Sequence, residues 1–421
     1  MRRATFLLTL AVCLGLVTAA SAQPVLVLDG HRVVVRDEPL GPLVDLQPGP
    51  PAGAVSPRLA RVAGERGPRV ASPAISATRG TVALRGLRHL RDSRAISGAQ
   101  FAGYWRSLRA ARVTYAQLSG TRRRELGAEL GILDSIAARG ALTASRLRPL
   151  FLTLDRNRQW WTSGSLLSSG ERVSFNGSQL IYQYYAGEGL QLQMLGNWGK
   201  VNGLWVSKQY GVMLAQLREL IPLGVSRAGG LAWEYYFPFD GGTPPWTSGL
   251  SQGTAVQALA RASLAFADPN YVTIMHRALL LFNRPAPLGV RQQTIRGNHY
   301  LIYSFAPGYH VINAFIGALD GLYDAAYITG DGLARSLLHA GDLEARYELP
   351  FYDTGSWARY SNAGETSSDS YMGLLRDFLA GLCARTGTQE YCTYATRFTR
   401  YIVSRLGHDL PAQETPYHPP R

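Results

Sequence analysis

The chain has 421 residues, of which 46% are hydrophobic and 17% are charged, so it is long enough to bury one large core or two smaller ones. Its formal net charge is +14 and is carried almost wholly by arginine, because lysine occurs only at Lys200 and Lys208. The arginines are scattered and no nucleic-acid-binding motif is present, so the charge points to an acidic partner other than nucleic acid.

Residues 1–22 have the pattern of an export signal. Arg2 and Arg3 precede an apolar run over residues 6–17, and Ala20, Ser21 and Ala22 form a small-residue cleavage site. The apolar run is too short to span a bilayer. We therefore expect cleavage after residue 22, no stable membrane insertion afterwards, and export from a bacterial cytoplasm to the periplasm or the medium.

Residues 23–95 are predicted to form a short hairpin followed by a linker. Apolar runs flank Asp29 and Gly30, which is a hairpin signature. From about residue 39 to residue 81 the chain is dense in Pro, Gly, Arg and Ala and lacks periodicity, which is typical of a linker.

Residues 96–408 are predicted to form a mainly α domain, an α/α toroid of helical hairpins with a short β-hairpin insertion, and residues 409–421 a tail. Ser97 and Gln100 form a capping box that begins the first helix. The apolar stripe of that helix consists of Phe101, Trp105, Leu108 and Val113. Further helices are predicted over residues 121–139, 144–161, 204–220, 249–267, 271–283, 310–328, 332–347, 369–385 and 388–406, with the insertion at 173–195.

Tight turns and long connections alternate in the C-terminal half. Turns are tight at residues 268–269, 329–330 and 386–387, whereas residues 285–309 and 348–368 form long connections. The loop over residues 230–248 leads into the first helix pair. In an antiparallel helix array this alternation places the long loops on one rim. The loops of that rim carry Trp233, Tyr235, Tyr236, Trp246, Tyr300, Tyr303, Tyr309, Trp357 and Tyr360. The sequence therefore predicts one aromatic-lined mouth.

Cys383 and Cys392 lie on either side of the turn at residues 386–387, so the two thiols can approach each other. In an oxidising compartment we expect a disulfide rather than a metal site, for which ligands are too few. No metal or cofactor is predicted elsewhere.

The segment LPFYDTGSWARYSNAGETSSDSY, residues 349–371, is too rich in aromatic and polar groups for a plain connector. Flat apolar faces with a few convergent polar groups are suited to binding a sugar. Trp357 could stack on a ring, while Asp353 and Arg359 could hydrogen-bond to hydroxyls or to a carboxylate.

Three blocks resemble the C-terminal domain of the D-glucuronyl C5-epimerase family, which acts on heparan-type polysaccharides. They are PPWTSGLSQGTAVQALARA (244–262), YSFAPGYHVINAFIGALDGLYD (303–324) and LPFYDTGSWARY (349–360). The resemblance covers residues of about 230–408. It implies inversion at C5 of a hexuronate residue, of the D-glucuronate to L-iduronate type, in an acidic polysaccharide.

The resemblance also implies site residues. The family's functional tyrosines correspond to Tyr303, Tyr360 and Tyr371, which would abstract and return the C5 proton once their pKa falls towards neutrality. Arg359 is expected to lower the pKa of Tyr360 or to hold the substrate carboxylate. The expected substrate-binding residues are Arg359, Trp246, Gln252, His310, Trp357 and Asp353.

The chain departs from the family pattern around these tyrosines. Ile302 stands where the family has an acid, residues 361–363 replace Asp-Leu-Arg, and Met372 replaces a histidine. The candidates to supply the missing groups are Arg359, His299, His310, Glu234 and Glu365. Two alternatives to an epimerase therefore stay open: a polysaccharide lyase, which shares the first proton abstraction, and a non-catalytic glycan-binding protein of the cell envelope.

Overall fold

A computed structural model of the chain describes residues 22–39 and 80–412, so residues 1–21 of the predicted signal, most of the linker and the end of the tail lie outside the described residues. The helices are α1 (Thr81–Asp92), α2 (Gly98–Gln117), α3 (Gly120–Ala138), α4 (Leu147–Ser163), α5 (Met194–Val206), α6 (Tyr210–Leu220), α7 (Gly249–Phe266), α8 (Asn270–Leu279), α9 (Ile312–Thr329), α10 (Gly332–Tyr352), α11 (Asp369–Thr386) and α12 (Gln389–Leu406). The strands are β1 (Ala22–Asp29), β2 (Arg32–Pro39), β3 (Arg172–Phe175), β4 (Tyr182–Tyr185), β5 (Gly189–Leu192), β6 (Val225–Arg227), β7 (Gly230–Ala232), β8 (Arg291–Gln293) and β9 (Asn298–Tyr300).

Helices α5 to α12 form four successive hairpins. The first helix of each hairpin packs against the first helix of the next hairpin, which gives a row of α5, α7, α9 and α11. The second helix of each hairpin packs against the first helix of the same hairpin. The chain is mainly α and forms the α/α toroid of hairpins that the sequence predicts. None of the described helices is long and apolar enough to cross a membrane.

Helices α7 and α9 approach each other at two glycines. A Cβ added to Gly321 would lie 2.1 Å from the carbonyl oxygen of Gly253. Because real Cβ atoms do not come this close, only glycine permits this separation of the two helices. The close packing buries most residues of both helices and places the loops that precede them side by side.

The N-terminal hairpin joins the body of the protein. Strand β1 pairs with β2 in the antiparallel sense and with β3 in the parallel sense, which gives one five-stranded sheet of order β2-β1-β3-β4-β5. The buried Lys200 ammonium on α5 lies 2.7 Å from the Glu38 carboxylate on β2. Because breaking a buried ion pair leaves an unpaired charge, this contact stabilises the docking of the hairpin.

Two features of the chain differ from the sequence-based predictions. Helix α1 lies within the predicted linker, because Ala83, Leu87 and Leu90 form an apolar face that is buried against the body. The single helix predicted over residues 204–220 is in fact the end of α5 followed by α6. Lys208, with φ of 58°, interrupts them.

Cys383 at the end of α11 and Cys392 in the first turn of α12 are joined by a disulfide. We expect the denatured protein, starting at residue 23, to show no free thiol until it is reduced. Replacing both cysteines by serine should lower the free energy of unfolding by about 2–3 kcal/mol, because the bridge restricts the unfolded chain. Thiol titration and urea denaturation measure the two effects. Two thiols that react before reduction would contradict the bridge.

Candidate active site

Three loops meet where α7, α9 and α11 begin. The Ser304 amide donates to the Thr247 carbonyl at 2.9 Å, which joins the loop before α7 to the loop before α9. The Ile312 amide donates to the Tyr360 carbonyl at 3.2 Å, which joins the latter to the loop before α11. The three long loops therefore share one end of the helical body, as the alternation of loop lengths predicts.

Four tyrosines from these loops and from α11 form a cluster, which we call the tyrosine cluster: Tyr303, Tyr309, Tyr360 and Tyr371. The rings of Tyr303 and Tyr309 are 6.4 Å apart and nearly parallel, and those of Tyr360 and Tyr371 are 5.1 Å apart. Tyr303 and Tyr360 are also neighbours, because each affects the pKa of the other. The structure thus brings together the three tyrosines that the resemblance singles out. It adds Tyr309, which the sequence analysis identified only as a loop aromatic.

Three aromatic rings pack against the ring of Tyr303. The rings of Phe239, Trp246 and Phe305 lie 5.5, 5.8 and 5.4 Å from it. Rings at these separations are in contact and restrict the orientation of Tyr303. Its hydroxyl is therefore directed by packing towards Tyr360.

Burial determines the protonation of the cluster. Loss of hydration, reinforced by the neighbouring tyrosines, raises the pKa of Tyr303 and of Tyr360 well above the usual value. Burial likewise raises the pKa of Tyr309 to about 12. The expectation of a lowered pKa is therefore wrong: these hydroxyls are protonated at neutral pH and are suited to donating protons.

Arg359 does not act on Tyr360 as expected. Its guanidinium is exposed and donates to the Phe351 carbonyl at the end of α10, at 2.8 Å. The backbone of Arg359 is also bonded to the end of α10, because the Arg359 amide donates to the Tyr352 carbonyl.

Glu365 brings a carboxylate to the tyrosine cluster. The Ser361 hydroxyl donates to this carboxylate and lies near Tyr309, whose pKa it lowers. The Tyr360 amide donates to the Glu365 carbonyl at 2.6 Å. The negative charge of Glu365 acts on both Tyr309 and Tyr360. Among the substitutes considered from the sequence, Glu365 is the acid that the fold places beside the tyrosines.

His299, His310 and Glu348 form a second cluster next to the tyrosines. Nδ1 of His299 and Nδ1 of His310 lie 3.1 and 2.9 Å from Oε1 of Glu348. The Tyr352 hydroxyl donates to the same carboxylate at 3.3 Å and to the His310 carbonyl. Since His310 follows Tyr309, the second cluster borders the tyrosine cluster. His310 is thus held by Glu348 instead of being directed at a substrate.

The second cluster suits hydrogen bonding better than metal coordination. One ligand atom from each residue lies within 4.8 Å of the others. The two imidazole rings, however, are stacked with centroids 3.8 Å apart and planes 15° apart. A metal bonds an imidazole nitrogen in the plane of the ring at about 2.0–2.1 Å, and one ion cannot lie in two stacked planes.

The protonation states of the second cluster also favour hydrogen bonding over metal coordination. Burial lowers the pKa of His299 to about 4, so its ring is neutral at pH 7. Burial opposes ionisation of Glu348, but its interactions with His299 and His310 outweigh burial and hold its pKa below the usual range. One ionised carboxylate therefore anchors both rings.

Two predicted substrate-binding residues are core residues instead. Trp246 is 1% exposed, and its indole donates to the Phe237 carbonyl at 2.9 Å. The Gln252 amide is buried on α7 and donates to the Leu231 carbonyl at 2.7 Å. The sequence alone does not distinguish an aromatic ring that stacks on a ligand from one that is buried in the core, because the same residue types occur in both positions.

Trp357, Asp353 and Glu234 also serve the fold. The Trp357 indole donates to the Ser367 carbonyl at 2.9 Å, and Arg405 covers its ring. Asp353 accepts the Gly355 amide in an Asx turn and pairs with a guanidinium of α12. Glu234 is buried between two arginines that pair with it. None of these side chains is placed to contact a ligand at the tyrosine cluster.

Comparisons with known proteins agree with the blocks that form this site. Residues 229–400 match the family described as D-glucuronyl C5-epimerase C-terminus. A D-glucuronyl C5-epimerase of Caenorhabditis elegans is 33% identical over 130 residues, which cover 28% of this chain and 21% of that protein. The match thus spans about a fifth of the length of that relative.

Solved structures give only a distant likeness. The cellobiose 2-epimerase of Bacillus thermoamylovorans B4167 has a TM-score of 0.41 at 11% identity, covering 68% of this chain and 75% of that one. The cellobiose 2-epimerase of Spirochaeta thermophila DSM 6192 has a TM-score of 0.40 at 14% identity, covering 68% and 73%. At these values the likeness carries no inference about substrate or reaction.

The matched residues include the hairpins α7–α8 and α9–α10, the helix α11 and all three loops that build the tyrosine cluster. Residues 229–400 of this chain therefore form a C-terminal domain of the D-glucuronyl C5-epimerase family.

Proposed function

We propose that the protein is an exported C5-epimerase that inverts a hexuronate residue, of the D-glucuronate to L-iduronate type, within an acidic polysaccharide. The observation that carries the proposal is the packing of Tyr303, Tyr309, Tyr360 and Tyr371 into one cluster beside the Glu365 carboxylate, within the matched domain. Such a group offers a proton donor and a proton acceptor on loops around one mouth.

The reaction requires a base on one face of the sugar and an acid on the other. Glu365 takes the C5 proton, and the electron pair of the C5–H bond moves into the adjacent substrate carboxylate to form an enolate. Tyr360, held protonated by burial, hydrogen-bonds to the enolate and then gives its proton to the opposite face of C5.

The tyrosinate left by this step must recover a proton, and the base must lose one. Ser361 donates a hydrogen bond to Glu365, and the hydroxyls of Tyr303, Tyr309 and Tyr360 lie in the same cluster, so exchangeable protons are close to both groups. A proton passed along the cluster restores both residues for the next turnover.

A second candidate is a glycan-binding protein without catalysis. Ile302, buried and apolar, stands where the family has an acid. If Glu365 does not replace that acid, the mouth binds uronate residues without exchanging their protons. Proton exchange therefore separates the two candidates.

The first prediction for the proposed activity concerns hydrogen exchange. Incubating the protein with glucuronate- and iduronate-containing polymers in heavy water should place deuterium at C5 and convert one uronate into the other, because the returned proton comes from exchangeable groups. Nuclear magnetic resonance of the digested polymer measures both effects. Absorbance from an unsaturated uronate would identify a lyase instead, and no change on any polymer would leave the glycan-binding candidate.

The second prediction concerns Tyr360→Phe. This change keeps the ring and removes the hydroxyl, so we expect C5 exchange to fall by about 100-fold or more while polymer affinity changes little. The matched control is Tyr327→Phe, because Tyr327 is exposed at the end of α9. Undiminished exchange with weakened affinity would make Tyr360 a binding group.

The third prediction concerns Glu365→Gln. The amide keeps the size of the side chain and cannot accept the C5 proton, so exchange should again fall by about 100-fold. Glu390→Gln is the control, since Glu390 pairs with Arg346 on the surface, where ion pairs contribute little. Exchange rates close to those of the control would exclude Glu365 as the base.

A further inference from the structure

A groove runs along α2 between α1 and α3, outside the domain that matches the family. Its volume is about 560 Å³. The groove is lined by Leu84, Trp105, Leu108, Arg109, Arg112, Val113, Tyr115, Ala116 and Arg123. A space of this size admits a small ligand.

The groove exposes part of the apolar stripe that the sequence predicts for α2. Trp105 is 36% exposed and Val113 is 50% exposed, whereas Leu108 is buried. A tryptophan and a valine on the same helix face form an apolar floor that no other described element covers. Part of the apolar stripe of α2 is therefore not buried by the packing of α2 against its neighbours.

Three arginines surround this floor. The Arg109 guanidinium lies 5.6 Å from the Trp105 ring centre, and that of Arg123 lies 4.6 Å from the Tyr115 ring centre. Neither these two arginines nor Arg112 forms a salt bridge within residues 22–39 and 80–412, and no acid is among the lining residues. The groove is thus a site of positive charge over apolar and aromatic surface.

A buried hydroxyl also lacks a partner here. Tyr115 is 7% exposed, and its hydroxyl is buried with no hydrogen bond to the described part of the chain. Buried polar groups are nearly always paired, so an unpaired one next to a groove indicates a missing oxygen or nitrogen partner.

We propose that this groove binds an anionic oligosaccharide at a second site, apart from the tyrosine cluster. Carboxylate or sulfate groups pair with the arginines, whose planar forks match such anions, and an apolar sugar face lies on Trp105. A glycan fits better than nucleic acid, because the groove is short and mostly apolar, whereas nucleic-acid surfaces need an extended row of cations. Binding here does not depend on the chemistry of Tyr360.

The test uses the double variant Arg109→Gln/Arg123→Gln, which removes two charges without removing side-chain length. The matched control is Arg277→Gln/Arg335→Gln, because both of these arginines are exposed on α8 and α10. The probe is a glucuronate-containing tetrasaccharide, titrated by calorimetry at two salt concentrations. We expect the groove variant to weaken binding at one of two sites about tenfold or more, and the control to change it less than about twofold.

Tyr115→Phe is the second variant. We expect it to fold normally and to weaken tetrasaccharide binding about threefold, because it removes the unpaired hydroxyl and little else. If the groove variant and the control lose the same affinity for the tetrasaccharide, binding is a general attraction between a basic protein and an anion. That outcome would overturn the proposal. A single-stranded oligonucleotide of equal charge that binds the groove more tightly would also overturn it. The calorimetric result does not depend on whether the protein exchanges the C5 proton. The groove proposal and the epimerase proposal can therefore be refuted independently.

Discussion

The close packing of α7 against α9 is the constraint on which the site depends. At Gly253 and Gly321 the two backbones approach to a distance that no Cβ allows. This contact holds α7 and α9 close together, and the loops that precede the two helices carry Trp246 and Tyr303. At the start of α7 the Gly249 amide donates to the Leu301 carbonyl at 2.7 Å, so the same tight approach continues into the loops. A larger residue at either helix glycine would separate the loops and disperse the tyrosines.

The environment that this packing creates decides the chemistry. Tyr303 is buried and Tyr360 is partly buried, and the loss of hydration favours the neutral hydroxyl of both. In the proposed mechanism the acid is a tyrosine kept neutral by burial, and the base is Glu365, a loop carboxylate that is partly open to solvent.

Much of the helical architecture could be predicted because it rests on local signals. The Ser97 capping box, the turn at residues 386–387 and the alternating loop lengths act within short stretches of chain, and the structure has each of them. Helix α1 was missed because its arginines and glycine obscured a narrow apolar face. Trp246 and Trp357 were expected to contact substrate because an aromatic residue in a loop has the same pattern whether it faces ligand or core.

By itself, the sequence determined the fold class, the shared rim of long loops, the disulfide pair and the three tyrosines, because helical periodicity, turn residues and family blocks are all readable along the chain. Only the tertiary structure decided which side chains meet and in which state of protonation. It placed Tyr309 and Glu365 beside Tyr360, turned Arg359 away, and gathered His299, His310 and Glu348 from distant segments. Contact between distant residues and loss of hydration depend on how helices pack in three dimensions, and no local pattern of residues encodes either of them.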